Sequence, residues 1–159
     1  RLAACIADPG NWGIGPGLRQ FALGYGLSEA EGDAFPNLDQ ATLERMTDTI
    51  SADRKLRWSV IQRGYWVHGV STLGDYLRSG EEFTLEGRVK NIRCPTLITS
   101  ADRDPLANGA QSLYDALTCP KAIMYFKAAE GAGDHVEIMN RSLLSRRALD
   151  WLDGIFKAD

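Results

Sequence analysis

The sequence lacks the features that identify nucleic-acid-binding and membrane-spanning proteins. Its 159 residues include 18 Lys and Arg against 21 Asp and Glu, a net charge of −3, so its charge favours neither nucleic acid nor an anionic membrane as a partner. Its apolar runs are shorter than the roughly 20 residues that cross a bilayer. The hydrophobic fraction of 44% and the charged fraction of 25% are those of one globular domain.

Cysteine and histidine are both scarce. The three cysteines, Cys5, Cys94 and Cys119, are odd in number and widely spaced. We interpret them as small hydrophobic residues in the reduced state, in keeping with the cytoplasmic location that we expect. Without Cys-x-x-Cys, and with only two histidines, the sequence predicts no zinc site and indicates no other cofactor.

Two nucleotide-binding motifs are also missing. Residues 10–26 are rich in glycine but contain no lysine, which argues against a phosphate loop of the Gly-x-x-x-x-Gly-Lys-Ser/Thr type. Gly13 to Gly17 do not have the Gly-x-Gly-x-x-Gly spacing of a Rossmann-type domain. We predict an irregular loop for residues 10–26, with a ligand-cradling loop as the alternative.

What the sequence does contain is an alternation of strand-like and helix-like segments. Apolar runs typical of buried strands occur at residues 2–8, 94–100 and 122–128, and helical periodicity occurs at residues 107–117 and 139–156. This alternation predicts an α/β fold with a parallel sheet. Residues 11–90 are instead mostly helical in pattern. We therefore predict a core of residues 1–10 and 91–159 and an inserted helical cap of residues 11–90.

Two side chains with acid–base chemistry follow predicted strands. Asp104 lies in an acidic loop after the second strand, and His135 lies in a glycine-containing loop after the third. The carboxyl ends of parallel strands share one edge of a sheet, where ligands bind. Strand-end Asp followed by strand-end His is also the chain order of the acid and base in an α/β-hydrolase triad. We therefore predict Asp104 as the acid and His135 as the general base.

Both assignments have simpler alternatives. Asp102 is a second candidate for the acid, and an Asp in such a loop can instead cap the following helix. We favour Asp104 because Pro105 biases the preceding backbone towards an extended conformation. His135 could be a loop histidine that makes only local hydrogen bonds.

The charged residues that follow His135 have structural interpretations. Glu137 is predicted to start the last helix at its positive end, with orientation of His135 as the alternative. Arg141, Arg146 and Arg147 are predicted to form a solvated helix face.

Several segments resemble α/β-hydrolases of the dihydropseudooxynicotine hydrolase type, which are related to acyl-peptidase-like and fungal polyketide-shortening hydrolases. They are Arg1–Ala7, Ile92–Leu97, Ala101–Pro105, Glu130–His135 and Ala148–Leu152. The resemblance implies the C-terminal part of an α/β-hydrolase sheet with an inserted helical cap. It also implies a Ser-Asp-His triad whose acid, Asp104, precedes a hydrophobic pair such as Pro105-Leu106.

The nucleophile of such a triad is missing from the sequence. An α/β-hydrolase carries Gly-x-Ser-x-Gly before the acid and the base, and no such pentapeptide occurs here. The nearest match, Gly69–Leu73, lacks the final glycine. We therefore expect the serine in an N-terminal part of the same enzyme, and we expect this chain alone to be inactive.

Three further residues are candidate contacts for a small-molecule substrate. Trp66 and His68 lie in the cap segment, where the resemblance implies an aromatic-rich wall of the pocket, and pockets favour aromatic side chains. For His68 a surface or core position is an equal alternative. Asp8 is a candidate because it lies at the carboxyl end of the first strand.

Together these patterns predict a serine-type hydrolase that cleaves an ester, an amide or a ketone carbon–carbon bond, and the resemblance favours the last. The alternative is a non-catalytic fragment or split half that binds a companion chain. A half-sheet would expose an edge strand and an apolar face, which favours a homodimer as a further partner.

Overall fold

A computed structural model describes residues 2–157 and shows an α/β fold. Three strands, β1 (Cys5–Ala7), β2 (Thr96–Ala101) and β3 (Lys121–Phe126), form one parallel sheet in the order β1-β2-β3. Thr96 is paired with Cys5 on one side and with Lys121 on the other. The predicted fold class is confirmed, although β1 is shorter than the apolar run at residues 2–8.

Helices pack on both faces of this sheet, because alternate side chains of a strand point to opposite faces. On one face, Ile98 of β2 packs with Leu113 of α7 (Ala110–Ala116). On the other face, Phe126 of β3 packs with Leu144 of α8 (Arg141–Phe156). Accordingly, every residue of the central strand β2 is buried except Ser100, which is partly buried.

The chain divides into two compact units. The described part of the first consists of residues 2–12 and 85–157, which include the whole sheet, and the second consists of residues 13–84. The corresponding predicted boundaries were at residues 10 and 91. Within residues 2–157, none of the helices combines the length and the apolar character that a membrane span requires.

The second unit is helical. Its elements are α1 (Ile14–Gly24), α2 (Glu29–Gly32), α3 (Gln40–Ala52), α4 (Arg54–Leu56), a π-helical segment (Arg57–Gly64), α5 (Tyr65–His68) and α6 (Leu73–Glu81). They enclose a core of their own, formed by Ala22, Leu27, Leu38, Met46, Ile50, Leu56, Val60, Leu73 and Leu77.

The irregular loop predicted for residues 10–26 is wrong, because most of it forms helix α1. Gly15 on α1 and Gly80 on α6 allow close packing of these two helices. A Cβ atom added to Gly15 would lie 2.3 Å from Glu81 Oε1, and one added to Gly80 would lie 2.4 Å from Leu18 Cδ1. Small residues on both helices therefore let α1 lie directly against α6, a tertiary requirement that local glycine content does not reveal.

The helical core makes a simple stability prediction. Ile50 on α3 is 2% exposed, whereas Ile138 is 66% exposed. Ile50→Val should lower the free energy of unfolding by about 1 kcal/mol, since it removes a buried methylene group. Ile138→Val is the matched control and should change it by less than about 0.5 kcal/mol. Urea denaturation measures both, and equal effects would contradict the assigned burial.

Candidate active site

Asp104 and His135 are in direct contact at the carboxyl edge of the sheet. Asp104 follows β2 and His135 follows β3, and the imidazole Nδ1 lies 3.0 Å from both carboxylate oxygens of Asp104. The Asp104 side chain is 1% exposed, whereas the His135 side chain is 53% exposed. Because an ionised carboxylate can only accept, Nδ1–H donates to it and Nε2 is left as the basic nitrogen of the neutral ring.

Asp104 also organises the backbone on both sides of this contact. Its Oδ1 accepts the N–H of Leu106 at 3.0 Å and so caps the 3-10 helix Pro105–Gly109. Its Oδ2 lies 3.4 Å from the backbone nitrogen of Val136, which donates to it. Helix capping and the contact with His135 are therefore not exclusive, and one buried carboxylate makes both.

Asp102, the alternative acid, has other partners. Its Oδ2 accepts the backbone N–H of Ala128 at 3.0 Å, and its Oδ1 lies 3.5 Å from Nζ of Lys127. The hydrogen bond from Ala128 and the charge of Lys127 lower the pKa of Asp102. The Asp102 carboxylate therefore holds the start of the loop that carries His135. Asp104 is the better candidate for the acid.

The loop that carries His135 needs glycine at one tight position. A Cβ atom on Gly133 would lie 2.7 Å from the backbone of Ala128, so a larger residue would displace the chain. The Gly133 carbonyl accepts the N–H of Arg103 at 2.7 Å. This bond ties the His135 loop to the loop that carries Asp104.

The prediction that Glu137 starts the last helix is wrong. Helix α8 begins at Arg141 and is capped by Asn140, whose Oδ1 accepts the N–H of Leu143 at 3.3 Å. Glu137 lies before this helix, is 1% exposed, and has an Oε2 atom with no hydrogen-bond partner in the described part of the chain. Burial, followed by the nearby carboxyl groups of Asp8 and Asp104, raises the pKa of Glu137 to about 8.

Asp8 lies beside this buried glutamate. The hydroxyl of Thr99 donates to Asp8 Oδ1 at 2.7 Å, and Nη1 of Arg141 lies 3.6 Å from Asp8 Oδ2. The same Nη1 donates to the carbonyl of Val136 at 2.8 Å. Arg141 therefore connects Asp8, which follows β1, to the 3-10 turn His135–Asn140, called the His135 turn. A role for Asp8 in binding substrate stays a prediction.

The predicted solvated basic face holds for Arg141, which is exposed although it is ion-paired, and is wrong for Arg147, which is half-buried. Arg141 pairs with Asp8, and Arg147 pairs with Glu130 at 2.6 Å while its guanidinium lies 5.2 Å from the centre of the Phe126 ring. Arg146 is exposed, as predicted. Helical periodicity identified the outer face of α8 but not the carboxylates of Asp8 and Glu130 that pair with its arginines.

Trp66 and His68 belong to the helical unit. Trp66 is 82% exposed. Nδ1 of His68 lies 2.7 Å from the hydroxyl oxygen of Ser79, and its ring makes edge contacts with Tyr76 and Phe83 at 5.0 and 5.2 Å between centroids. These contacts give His68 a structural position. A role for either residue in binding substrate stays a prediction.

The sequence named Glu137 as a possible orienting group for His135 but did not reveal that its carboxyl group is buried. Nothing in its position distinguishes a buried carboxyl group from an exposed one at a helix start. The available signal was the concentration of acidic residues in Glu130–Glu137, a loop next to two strand ends.

No protein-family model matches the sequence. Two curated fungal proteins are similar to it. Hydrolase LUC6 of a Fusarium species is 32% identical over 115 residues, which cover 67% of this chain and 27% of that protein. The 20-hydroxy-prefusarin hydrolase FUS2 of Gibberella moniliformis is 33% identical over 102 residues, which cover 58% of this chain and 24% of that protein.

The chain thus spans about a quarter of the length of the curated relatives it matches. Both relatives are named as hydrolases, one of them without a stated substrate. By sequence, the chain is similar to a part of two fungal hydrolases.

Proposed function

We propose that this chain supplies the acid and the base of a serine-type α/β-hydrolase, with Asp104 as the acid and His135 as the base. One observation carries the proposal. A buried carboxylate bonds to Nδ1 of a half-exposed imidazole at the carboxyl edge of a parallel sheet. The similarity to proteins named as hydrolases supports the same class of reaction.

In this mechanism Nε2 of His135 takes the proton of a serine hydroxyl as the serine oxygen bonds to a substrate carbonyl carbon. His135 then gives that proton to the leaving group, and an acyl-enzyme remains. A water molecule, deprotonated by the same nitrogen, releases the acid and restores the serine. Asp104 holds the ring in the tautomer with Nδ1–H and stabilises the imidazolium that forms.

The serine and the donors of the oxyanion hole belong, in this proposal, to a part of the enzyme outside these 159 residues. No Gly-x-Ser-x-Gly occurs among them, and the relatives are about four times longer than the matched region. The substrate is a small carbonyl compound, an ester, an amide or a ketone whose carbon–carbon bond is cleaved. Trp66 and His68 are proposed contacts to it.

Labelling with a fluorophosphonate tests this proposal. The chain is expressed together with the coding sequence that precedes Arg1, and labelled peptides are identified by mass spectrometry. The label should attach to a serine outside residues 1–159, and His135→Gln should slow its attachment by at least about 100-fold, as expected for loss of a general base.

Arg146→Gln is the matched control, since it replaces an exposed basic side chain of α8 by the same glutamine and should leave labelling at the wild-type rate to within a few fold. Labelling of a serine within the 159 residues, or an unchanged rate in His135→Gln, would overturn the proposal.

A further inference from the structure

Glu137 is buried without the partners that a buried charge needs. It is 1% exposed, and its Oε2 atom has no hydrogen-bond partner among residues 2–157. An ionised carboxylate in such surroundings is costly, because neither water nor a full set of donors solvates it. A carboxyl group that stays neutral avoids most of this cost.

The charges around Glu137 favour the same state. The carboxyl groups of Asp8, after β1, and of Asp104, after β2, both act on it, and Arg141 of α8 is the cation that opposes them. Arg141 is already engaged by Asp8 and by the carbonyl of Val136. Neighbouring carboxyl groups cannot all ionise cheaply, so a proton shared between Glu137 and Asp8 relieves the repulsion.

The backbone at this position is strained. Val136 and Glu137 have φ values of +48° and +50°, in the left-handed region that β-branched residues in particular avoid. Such strain persists only where the surroundings fix the conformation. Here the N–H of Val136 donates to Asp104, the N–H of Glu137 donates to the carbonyl of Asp134 at 3.0 Å, and Arg141 donates to the carbonyl of Val136.

We propose that Glu137 is a positioning residue, which in its protonated form bonds to Asp8 and thereby holds the strained turn that presents His135 to Asp104. In this proposal the proton of Glu137 is shared with the carboxyl group of Asp8, whose Oδ1 accepts the hydroxyl of Thr99 at 2.7 Å. The carboxyl group acts through the backbone of the turn and not on a substrate.

Loss of this proton should disturb the site. Asp8, Glu137 and Asp104 would then carry three negative charges with one facing cation, Arg141. The turn is the most strained element nearby, so it should move first and take His135 with it. Burial and the two carboxyl neighbours raise the pKa of Glu137 to about 8, which places this event in the mildly alkaline range.

Any effect of this movement on catalysis rests on the proposed function. The movement itself can be tested without an assay of activity. The 159-residue chain is labelled with 13C at glutamate carboxyl carbons and with 15N, and is titrated by NMR from pH 5 to pH 10. The reporters are the Glu137 carboxyl carbon, the Val136 amide and the His135 ring, and the ring of His68 is an internal control. Glu137→Gln keeps the shape of the side chain and cannot ionise.

We expect the Glu137 carbon to titrate near pH 8, together with a step at Val136 and His135 that His68 does not show. In Glu137→Gln this step should be absent while the low-pH spectrum of the turn is kept. Glu137→Ala is a second variant, which should alter the Val136 signal at every pH because it removes the bond to Asp8.

Three results would overturn the proposal: titration of Glu137 near the ordinary 4.5, no response of Val136 and His135 to its ionisation, or an alkaline step that survives in Glu137→Gln. A merely structural role would show no pH-dependent step shared by these signals. None of these readouts depends on turnover, so a failure of the hydrolase assignment and a failure of this inference are distinguishable.

Discussion

Asp104→Asn is expected to lower the turnover of the complete hydrolase by about 10⁴-fold, because an amide no longer fixes the tautomer of His135 or stabilises the imidazolium. The present geometry is the reason for the size of this effect, since both carboxylate oxygens lie 3.0 Å from Nδ1. Substrate binding should change much less than turnover. Steady-state kinetics measure the two separately, and 15N NMR of the His135 ring reports the tautomer.

Asp102→Asn is the matched control for this substitution. Its carboxylate bonds to Ala128 and Lys127 instead of the imidazole, so turnover should fall by less than about 10-fold even if the loop loosens. Comparable losses in the two variants would contradict the assignment of the acid. A large loss confined to Asp102→Asn would transfer the role to that residue.

Glu137→Gln is expected to make the protein more stable than the wild type at neutral and alkaline pH and nearly as stable at pH 5. In the folded state the pKa of Glu137 is raised to about 8, while in the unfolded chain it is near 4.5. Between these values the folded protein holds a proton that the unfolded chain releases. The wild type therefore loses stability as the pH rises, and the variant has no such loss.

The slope of this loss is at most about 1.4 kcal/mol for each pH unit, which gives an upper limit of about 5 kcal/mol between the two pKa values. Denaturant unfolding at intervals from pH 5 to pH 9 measures the difference between variant and wild type. Glu44→Gln, at an exposed position on α3, is the control and should follow the wild type at every pH. A difference that is constant with pH would contradict the raised pKa of Glu137.

The contact between Asp104 and His135 shows what a sequence can predict. Both follow apolar runs that form parallel strands, and parallel strands bring such loops to one edge of the sheet whatever the loops contain. The alternation of strands and helices fixed the fold class in the same way. These predictions used periodicity and strand order, which are properties of the chain that long-range packing does not change.

The choice between Asp102 and Asp104 depended on more than strand order. Both lie in the same loop, and only the structure shows that one carboxylate turns to Ala128 and the other to His135. Helix α1 is a comparable case, because Gly15 is explained by the close approach of Glu81 on α6 and not by any local preference for turns. Side-chain direction and helix contact are set by atoms far away in sequence.

By itself, then, the amino-acid pattern determined the α/β class, the position of Asp104 and His135 after successive strands, and the absence of a nucleophile elbow among these residues. The tertiary structure alone decided which carboxylate meets the imidazole, that Arg141 and Arg147 are paired, and that Glu137 is buried beside Asp8. The physical reason is that the burial and the charge of a side chain depend on groups that are distant in sequence. Whether a carboxyl group keeps its proton depends on the groups that surround it, and only folding brings those groups together.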